Sequence, residues 1–168
     1  MEPGIDVLFE SHLDLVRGRR VGLITNPTGV DRALRGSIER FRAQQEVKLV
    51  ALYGPEHGVR GNAQAGEYVP FYLDEQFGLP VFSLYGQSHR PPADMLTNID
   101  AYMRSFDTQH AGKTVERGMI DAIDVMVFDL QDVGTRVYTY VATMAYAMQA
   151  AAESGIPFVV LDRPNPIN

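Results

Sequence analysis

The chain has 168 residues, of which 45% are hydrophobic and 21% charged, which is typical of one globular domain with a buried core. The net charge of −6 at pH 7 leaves no basic surface, and no run approaches the ~18 apolar residues of a membrane-spanning helix. We therefore expect neither a nucleic-acid partner nor a membrane span, and the absence of cysteine excludes disulfides, thiol nucleophiles and cysteine-ligated metals.

An amphipathic helix is predicted at the start of the chain, over residues 5–16. Its apolar residues recur near one face, at Ile5, Leu8, Phe9, Leu13 and Val16. The first twenty residues also carry four acidic side chains, instead of the basic start and apolar centre of an export signal. The sequence as written therefore predicts a cytoplasmic protein, or an exported one if a leader has been removed.

Five short apolar segments, rich in Val, Leu, Ile and Phe, follow along the chain, and each ends in polar residues and turn formers. The segments are 21–25, 47–53, 80–85, 123–128 and 157–161. Short continuous apolar runs predict strands that are buried on both faces of a parallel sheet.

Helical patterns separate these segments, as the crossovers of a parallel sheet require. Residues 33–44 predict an amphipathic helix whose buried face carries Leu34, Ile38 and Phe41. Residues 138–153 predict a well-buried helix that a glycine ends. The pattern as a whole predicts an α/β fold, namely one three-layer Rossmann-like domain over residues 1–168 with a mainly parallel sheet of about five strands.

Polar residues that follow parallel strands meet at one edge of the sheet, where α/β proteins bind ligands. The residues expected to converge there are Asn26, Glu56, His57, Tyr85, Asp129, Asp132, Asp162 and Arg163. Glu56 and His57 stand out because the turn 54–58 holds two groups capable of proton transfer on a rigid element. The same residue types also occur in ordinary solvated loops, so this turn alone does not identify a catalytic site.

Several common sites are missing from the sequence. The loop that follows the first predicted strand lacks the glycine fingerprint of dinucleotide-binding domains and the phosphate-binding lysine loop. The four histidines have no metal-ligand spacing, and no serine lies in a nucleophile elbow. We therefore expect no cofactor and no metal, and the remaining candidates are Glu56 and the aspartates.

Five motifs cover nearly the whole chain. They are LITNPTGVD at 23–31, YGPEHGVRG at 53–61, SLYG at 83–86, VFDLQDVGTRVYTY at 127–140 and LDRPNPI at 161–167. Together, in this order, they resemble the NamZ-type exo-β-N-acetylmuramidases, a family formerly catalogued as a domain of unknown function. The resemblance implies a Rossmann-like catalytic domain that releases N-acetylmuramic acid from the non-reducing end of peptidoglycan fragments.

The resemblance also implies that Glu56, the glutamate of the Pro-Glu-His-Gly motif, is the general acid/base. In glycoside hydrolysis a carboxylic acid protonates the departing oxygen as an oxocarbenium-like transition state forms. His57 would tune Glu56 or bind a hydroxyl, or it is a turn histidine that is hydrogen-bonded to the backbone. The alternative function is a non-catalytic sugar-binding or scaffolding domain.

Two aspartates and two arginines complete the expected polar groups of the site. One of Asp129 and Asp132 would bind sugar hydroxyls, act as base on water, or orient the substrate acetamide, and the alternative for Asp132 is a helix N-cap. Arg60 and Arg136 are expected partners for the lactyl carboxylate of muramic acid, because guanidinium binds carboxylate bidentately. Either arginine could instead neutralise a neighbouring aspartate.

The remaining expected residues surround these groups. Tyr138 and Tyr140 would offer a sugar-stacking face or a hydroxyl, or they belong to the core. Asn26 and Tyr85 are expected to bind substrate from the ends of their strands. Asp162 and Arg163 are expected to pair with each other at the edge of the sheet.

The chain departs from the family pattern in two places. Family members normally continue beyond the Asp-Arg-Pro-Asn-Pro motif into a second domain that walls the substrate cleft, so residues 1–168 are interpreted as the first of two domains. Residues 97–119 are interpreted as an insertion that forms a surface excursion, a lid or a contact in a homo-oligomer.

Overall fold

The computed structural model describes residues 2–86, 89–104 and 122–167. Within them one sheet has six strands, in the spatial order β3-β4-β2-β1-β5-β6. The strands are β1 (Arg20–Thr25), β2 (Lys48–Gly54), β3 (Tyr72–Asp74), β4 (Leu79–Ser83), β5 (Val125–Asp129) and β6 (Phe158–Val160). All neighbouring pairs are parallel except β3 and β4, which are antiparallel.

The order of the strands brings the polar loops together. The chain adds β2 and then β4 on one side of β1, and it later returns to add β5 and β6 on the other side. This reversal between β1 and β5 is the topological switch point at which doubly wound α/β proteins usually bind ligands. The loops after β1, β2, β4, β5 and β6 all leave from the carboxyl edge of the sheet.

Helices cover both faces of the sheet. They are α1 (Gly4–Ser11), α2 (Ser37–Arg42), α3 (Asp94–Thr97), α4 (Ile99–Arg104) and α5 (Tyr140–Glu153), with a 3₁₀ turn at Leu13–Leu15. One buried cluster joins the sheet to α1 and α2, through residues such as Ile5 and Phe41. The other joins the opposite face to α3, α4 and α5, through residues such as Leu96, Ile99 and Ala147. The domain therefore has three layers, and the predicted Rossmann-like α/β fold is confirmed.

The first two helices are shorter than the sequence pattern predicts. The first helix ends at Ser11, and the chain continues into the 3₁₀ turn, although Val16 is still buried. The second begins at Ser37, and Leu34 is 80% exposed with a φ of 61°, so its predicted place on the buried face is wrong. The cause is Asp31, whose carboxylate accepts the backbone N–H groups of Ala33 and Arg35 and holds a turn there.

Two further segments differ from the prediction or extend past it. β3 is an antiparallel edge strand of three residues that the sequence pattern does not predict, because three residues are too few to show a period. Of the predicted insertion at 97–119, the structure shows the end of α3 and the helix α4, and residues 105–119 lie outside the described part. None of the described helices is long and apolar enough to cross a membrane.

Candidate active site

Glu56 lies in the tight turn that follows β2. The N–H of Gly58 donates to the carbonyl of Pro55 at 2.8 Å and closes the turn. His57 has a φ of 71°, in the left-handed region that non-glycine residues seldom adopt, and Gly58 follows with a φ of 74°. Such strain is found where the surrounding structure dictates the conformation, and here it fixes the direction of the half-buried Glu56.

The Glu56 carboxylate accepts hydrogen bonds on both oxygens. The hydroxyl of Thr139 donates to Oε2 at 2.9 Å, and the backbone N–H of Gly66 donates to Oε1 at 3.1 Å. Tyr85, which follows β4, also forms a side-chain hydrogen bond with Glu56, and the Glu56 charge is the main cause that raises the pKa of Tyr85. Three separate parts of the chain therefore hold this carboxylate in one orientation.

Tyr140 is hydrogen-bonded to the residue that follows β1 and lies close enough to Glu56 to be influenced by its charge. The amide of Asn26 donates to the Tyr140 hydroxyl at 2.8 Å, and the rings of Tyr138 and Tyr140 meet edge to face with centroids 4.6 Å apart. Burial first, then Tyr138 and Glu56, raise the pKa of Tyr140 to about 12, against a lowering by Asn26. Tyr140 is buried and Tyr138 half-buried, so the structure places both at the boundary between core and site.

His57 is held by the backbone of its own loop. Its Nδ1 lies 2.9 Å from the carbonyl oxygen of Ala63. Because a carbonyl can only accept, Nδ1 carries the proton of this contact, and in the neutral ring Nε2 is the basic nitrogen. This geometry is that of the backbone-bonded turn histidine, with one ring nitrogen left for a further partner.

Asp129 lies beneath the site surface, with an exposed fraction of 0%. The Arg163 guanidinium donates to its Oδ1 at 2.6 Å, and the hydroxyl of buried Ser37 donates to Oδ2. Burial is the largest influence and raises the pKa of Asp129, against the opposing effects of Arg163 and Ser37. Both carboxylate oxygens are therefore occupied by protein groups that join β5 to α2 and to the segment after β6.

The expected pair between Asp162 and Arg163 is wrong. Asp162 Oδ1 accepts the backbone N–H of Arg163 at 2.9 Å, while the guanidinium contacts Asp129 and donates to the carbonyl of Val30 at 2.8 Å. The buried carboxylate is the stronger partner because it would otherwise be an uncompensated charge.

Asp132 sits in the loop after β5. The N–H of Gly134 donates to its Oδ2 at 2.9 Å, whereas its Oδ1 is buried without a hydrogen-bond partner among the described residues. The alternative of a helix N-cap is wrong, because α5 begins at Tyr140 and Thr139 occupies its N-cap position. A buried carboxylate oxygen without a partner can accept a hydrogen bond from a ligand hydroxyl.

A hydrogen-bond chain links the Asp132 loop to Asn26 and Tyr140. Thr28 donates to Asn26 Oδ1 through its backbone N–H at 2.9 Å and through its hydroxyl at 2.6 Å. Its hydroxyl oxygen in turn accepts the backbone N–H of Gln131 at 3.1 Å. Since Asn26 also holds Tyr140, the ends of β1 and β5 and the start of α5 form one connected edge.

The two arginines have different surroundings. Arg60 donates to Asp74 Oδ2 at 2.5 Å and lies over the ring of Phe77, so it neutralises an aspartate of the edge strand β3. Arg136 is exposed, and within the described ranges it forms no hydrogen bond or ion pair. Of the two, Arg136 is thus the guanidinium that is open to a ligand carboxylate.

The partners of Glu56 and Asp129 include three residues that sequence reasoning did not single out: Thr139, Gly66 and Ser37. Thr139 lies within the quoted 127–140 motif, between two tyrosines, and its position beside Tyr138 and Tyr140 is the available signal. Gly66 and Ser37 contact Glu56 and Asp129 over long sequence distances, which no local pattern reveals. Among the described residues, no group of three or more His, Asp or Glu could hold a metal ion.

Fold and site together define a Rossmann-like α/β domain whose carboxyl edge holds an oriented glutamate among tyrosine and threonine hydroxyls. The chain belongs to the family described as exo-beta-N-acetylmuramidase NamZ, N-terminal, whose profile matches residues 21–115 and 102–168. The resemblance on the five motifs is thereby confirmed.

One named relative and two solved structures are similar to the chain over nearly its whole length. Peptidoglycan beta-N-acetylmuramidase NamZ of Bacillus subtilis (strain 168) is 48% identical over 99% of the chain and 34% of the relative. A DUF1343 family protein from Bacteroides fragilis is 45% identical, with a TM-score of 0.75, over 99% of the chain and 35% of its own. A second from the same organism is 26% identical, with a TM-score of 0.66, over 98% and 35%. The chain thus spans about a third of these relatives.

Proposed function

We propose that this domain supplies the general acid of a β-N-acetylmuramidase, with Glu56 in that role. The substrate class is taken from the similar Bacillus subtilis protein, which is named as acting on peptidoglycan. The observation that carries the proposal is the fixed Glu56 carboxylate, which accepts from Thr139 and Gly66 at the carboxyl edge of the sheet. General acid catalysis requires such a positioned carboxyl group within reach of the glycosidic oxygen.

Besides Tyr85, the two oxygens of Glu56 have different partners, and this difference supports a choice between them as the carrier of the proton. The N–H of Gly66 can only donate, so Oε1 remains an acceptor in both charge states. The hydroxyl of Thr139 can donate to an ionised Oε2 or accept from a protonated one. In this proposal Oε2, whose neighbour tolerates both charge states, is the candidate oxygen for the proton that goes to the leaving group.

His57 supplies a second proton-transfer group in this proposal. With Nδ1 bonded to the Ala63 carbonyl, Nε2 of the neutral ring can accept a hydrogen bond from a water or a sugar hydroxyl. Because Glu56 and His57 are adjacent in one strained turn, their relative orientation is fixed before a substrate arrives.

The groups on the loop after β5 fit recognition of the sugar. Arg136 is the candidate for the lactyl carboxylate, since it has an exposed guanidinium that is not engaged by the described residues. Asp132 is the candidate for a sugar hydroxyl, because its buried Oδ1 lacks a partner within the same part of the chain. Asp129 acts indirectly, as the buried anchor for Arg163.

The deciding experiment measures the release of N-acetylmuramic acid from a chromogenic β-N-acetylmuramide by wild type and by Glu56→Gln. If the gene continues, Glu56→Gln is also made in the longer protein that it encodes, because the chain spans about a third of the length of its relatives. Loss of at least about 100-fold in kcat with Glu56→Gln is expected, which is a typical contribution of general acid catalysis.

Glu67→Gln is the matched control, because Glu67 lies in the same loop but accepts the N–H of Gln64 instead. It should retain activity. Hydrolysis that survives Glu56→Gln would overturn the role of Glu56. If the chain and the longer protein both bind the muramide and neither hydrolyses it, the domain is a non-catalytic sugar-binding or scaffolding unit.

A further inference from the structure

Three exposed or half-buried rings form a continuous row that begins beside Glu56. We call Tyr85, His89 and Tyr146 the aromatic strip. Tyr85 and His89 meet edge to face with centroids 5.0 Å apart, and His89 lies near-parallel to Tyr146 at 6.4 Å with an interplanar angle of 23°. The strip therefore joins the loop after β4 to the outer surface of α5.

The strip leads away from Glu56 along α5. At its near end, Tyr85 is hydrogen-bonded to Glu56. Tyr146 lies seven residues beyond Thr139, which is about two helical turns and ~10 Å on the same face of the helix. Since Thr139 also contacts Glu56, the two ends of the strip are fixed relative to the proposed acid.

The far end of the strip, at Tyr146, is open to solvent. The loop that carries His89 is attached to α5 by an ion pair that does not involve the rings of the strip. Tyr146 is 43% exposed, and its helical neighbours Ala142 and Ala145 are exposed and too small to cover it. An ion pair between Arg90 and Glu153 already ties the loop to the end of α5. The rings are thus available to a ligand, and apolar ring faces with polar tips are typical of small-molecule sites.

We propose that the aromatic strip binds the saccharide on the leaving-group side of the bond that is cleaved at Glu56. This inference rests on the proposed function. The family is described as exo-acting, so only the one terminal sugar that is released lies on the non-reducing side of the scissile bond. A surface that extends ~10 Å from the acid along α5 is longer than that single position needs, and it therefore serves the part of the substrate beyond the scissile bond.

The chemistry of the strip specifies an uncharged pyranose. None of the three residues carries a carboxylate; Tyr85 contacts the Glu56 carboxylate at the near end, and at the far end Arg90 and Glu153 pair with each other. Stacking of an apolar sugar face on the rings, with hydroxyls at the ring edges, fits an N-acetylated hexosamine unit better than an ionic group.

The test compares two substrates that share the muramic acid unit. One is a disaccharide with a hexosamine on the leaving side, and the other is N-acetylmuramyl fluoride, which has no sugar there. The variants are Tyr146→Ala and, as an independent second test, His89→Ala. Tyr146→Phe retains the ring, and Met148→Ala removes a side chain of equal exposure, 43%, from the same helix outside the strip.

Tyr146→Ala and His89→Ala should each lower kcat/KM on the disaccharide about tenfold more than on the fluoride, because one aromatic stacking contact is worth about a factor of ten. Tyr146→Phe should keep most of this preference, and Met148→Ala should leave both rates unchanged. If wild type cleaves both substrates and the variants lower both rates equally, the role of the strip is overturned while the proposed function stands. A wild-type protein that cleaves neither substrate would overturn the proposed function as well.

Discussion

The hydroxyl of Thr139 donates to Oε2 of Glu56 at 2.9 Å and joins two residues that are 83 positions apart in the chain. Thr139 is at the N-cap position of α5, yet its side chain makes no capping hydrogen bond to the helix. A threonine at this position usually stabilises its own helix. Here the hydroxyl is directed at the carboxylate instead, which indicates a role in the site.

Thr139→Val should therefore lower kcat about 10- to 100-fold, because a hydrogen bond to a charged group is lost while the shape of the side chain is kept. KM should change little, since Thr139 acts through Glu56. Thr139→Ser retains the hydroxyl and should restore most of kcat. Steady-state kinetics on the chromogenic muramide measures both variants, and an equal loss in Thr139→Ser and Thr139→Val would contradict the positioning role.

The sheet could be predicted from the sequence because its strands carry their own signal. Each of the five parallel strands is a short apolar run bounded by turn formers, the composition typical of strands buried on both faces, although the edge strand β6 is only half-buried and its Val160 is 44% exposed. β3 and the start of α2 could not be predicted, because edge pairing and the turn at Asp31 depend on contacts outside the local pattern. Local propensity is a weak guide where a side chain competes for backbone groups.

The sequence could predict which residues lie at the carboxyl edge of the sheet, but not how buried they are or which partners they contact. Glu56, Tyr85 and Asn26 do lie at one edge, because parallel strands deliver their following residues there. Position along the chain does not show how deeply a side chain is buried. Asp129 is also at a strand end, yet it lies fully buried under Arg163. The roles of Thr139 and Gly66 depend on the three-dimensional packing of two loops around Glu56.

Arg163→Met should destabilise the fold by about 3–5 kcal/mol, because it leaves the buried Asp129 carboxylate without its ion-pair partner. The loss should be smaller at acidic pH. Burial already raises the pKa of Asp129, and the neutral acid is the form that tolerates the missing guanidinium. Urea unfolding at pH 7 and pH 4 measures both effects.

Asp162→Asn is the control for that variant. Its carboxylate oxygen accepts a backbone N–H, an interaction that the asparagine carbonyl can retain. A destabilisation within about 0.5 kcal/mol is expected, which is usual for substitutions away from buried charges. Equal losses in Arg163→Met and Asp162→Asn would show that the buried pair is not the source.

Arg136→Gln and Arg60→Gln should separate recognition from stability. Arg136→Gln should raise KM for a β-muramide about tenfold with kcat retained, and it should not change KM for a β-glucosaminide, which lacks the lactyl carboxylate. Arg60→Gln should leave KM unchanged and lower the melting temperature, because it removes the partner of the buried Asp74. If KM rises in Arg60→Gln and not in Arg136→Gln, Arg60 is the residue that binds the lactyl carboxylate.

The pair of Arg20 and Asp124 provides a prediction for acid stability that does not depend on the function. Arg20 donates to Asp124 from its backbone N–H at 2.8 Å, from Nε at 3.0 Å and from a terminal nitrogen at 2.7 Å. The side-chain hydrogen bond from Arg20 is the largest cause that lowers the pKa of Asp124 below the ordinary 3.8, with burial acting against it. Because the folded-state pKa is depressed, the stabilisation is present above about pH 3.8 and is lost as the pH falls through the lower folded value.

Asp124→Asn should thus be less stable than wild type at pH 6 by about 1 kcal/mol, a value kept small because both side chains are about a third exposed and solvent screens the pair. The difference should shrink when urea unfolding is repeated near pH 3, below the ordinary pKa of 3.8, because the carboxylate of the unfolded chain then takes up its proton while the folded pKa is lower. Asp14→Asn removes an exposed carboxylate that has no ion pair with any described residue, and it should show no such convergence. A difference between wild type and Asp124→Asn that stays constant from pH 6 to pH 3 would mean that the aspartate stabilises the strand end by shape and not by charge.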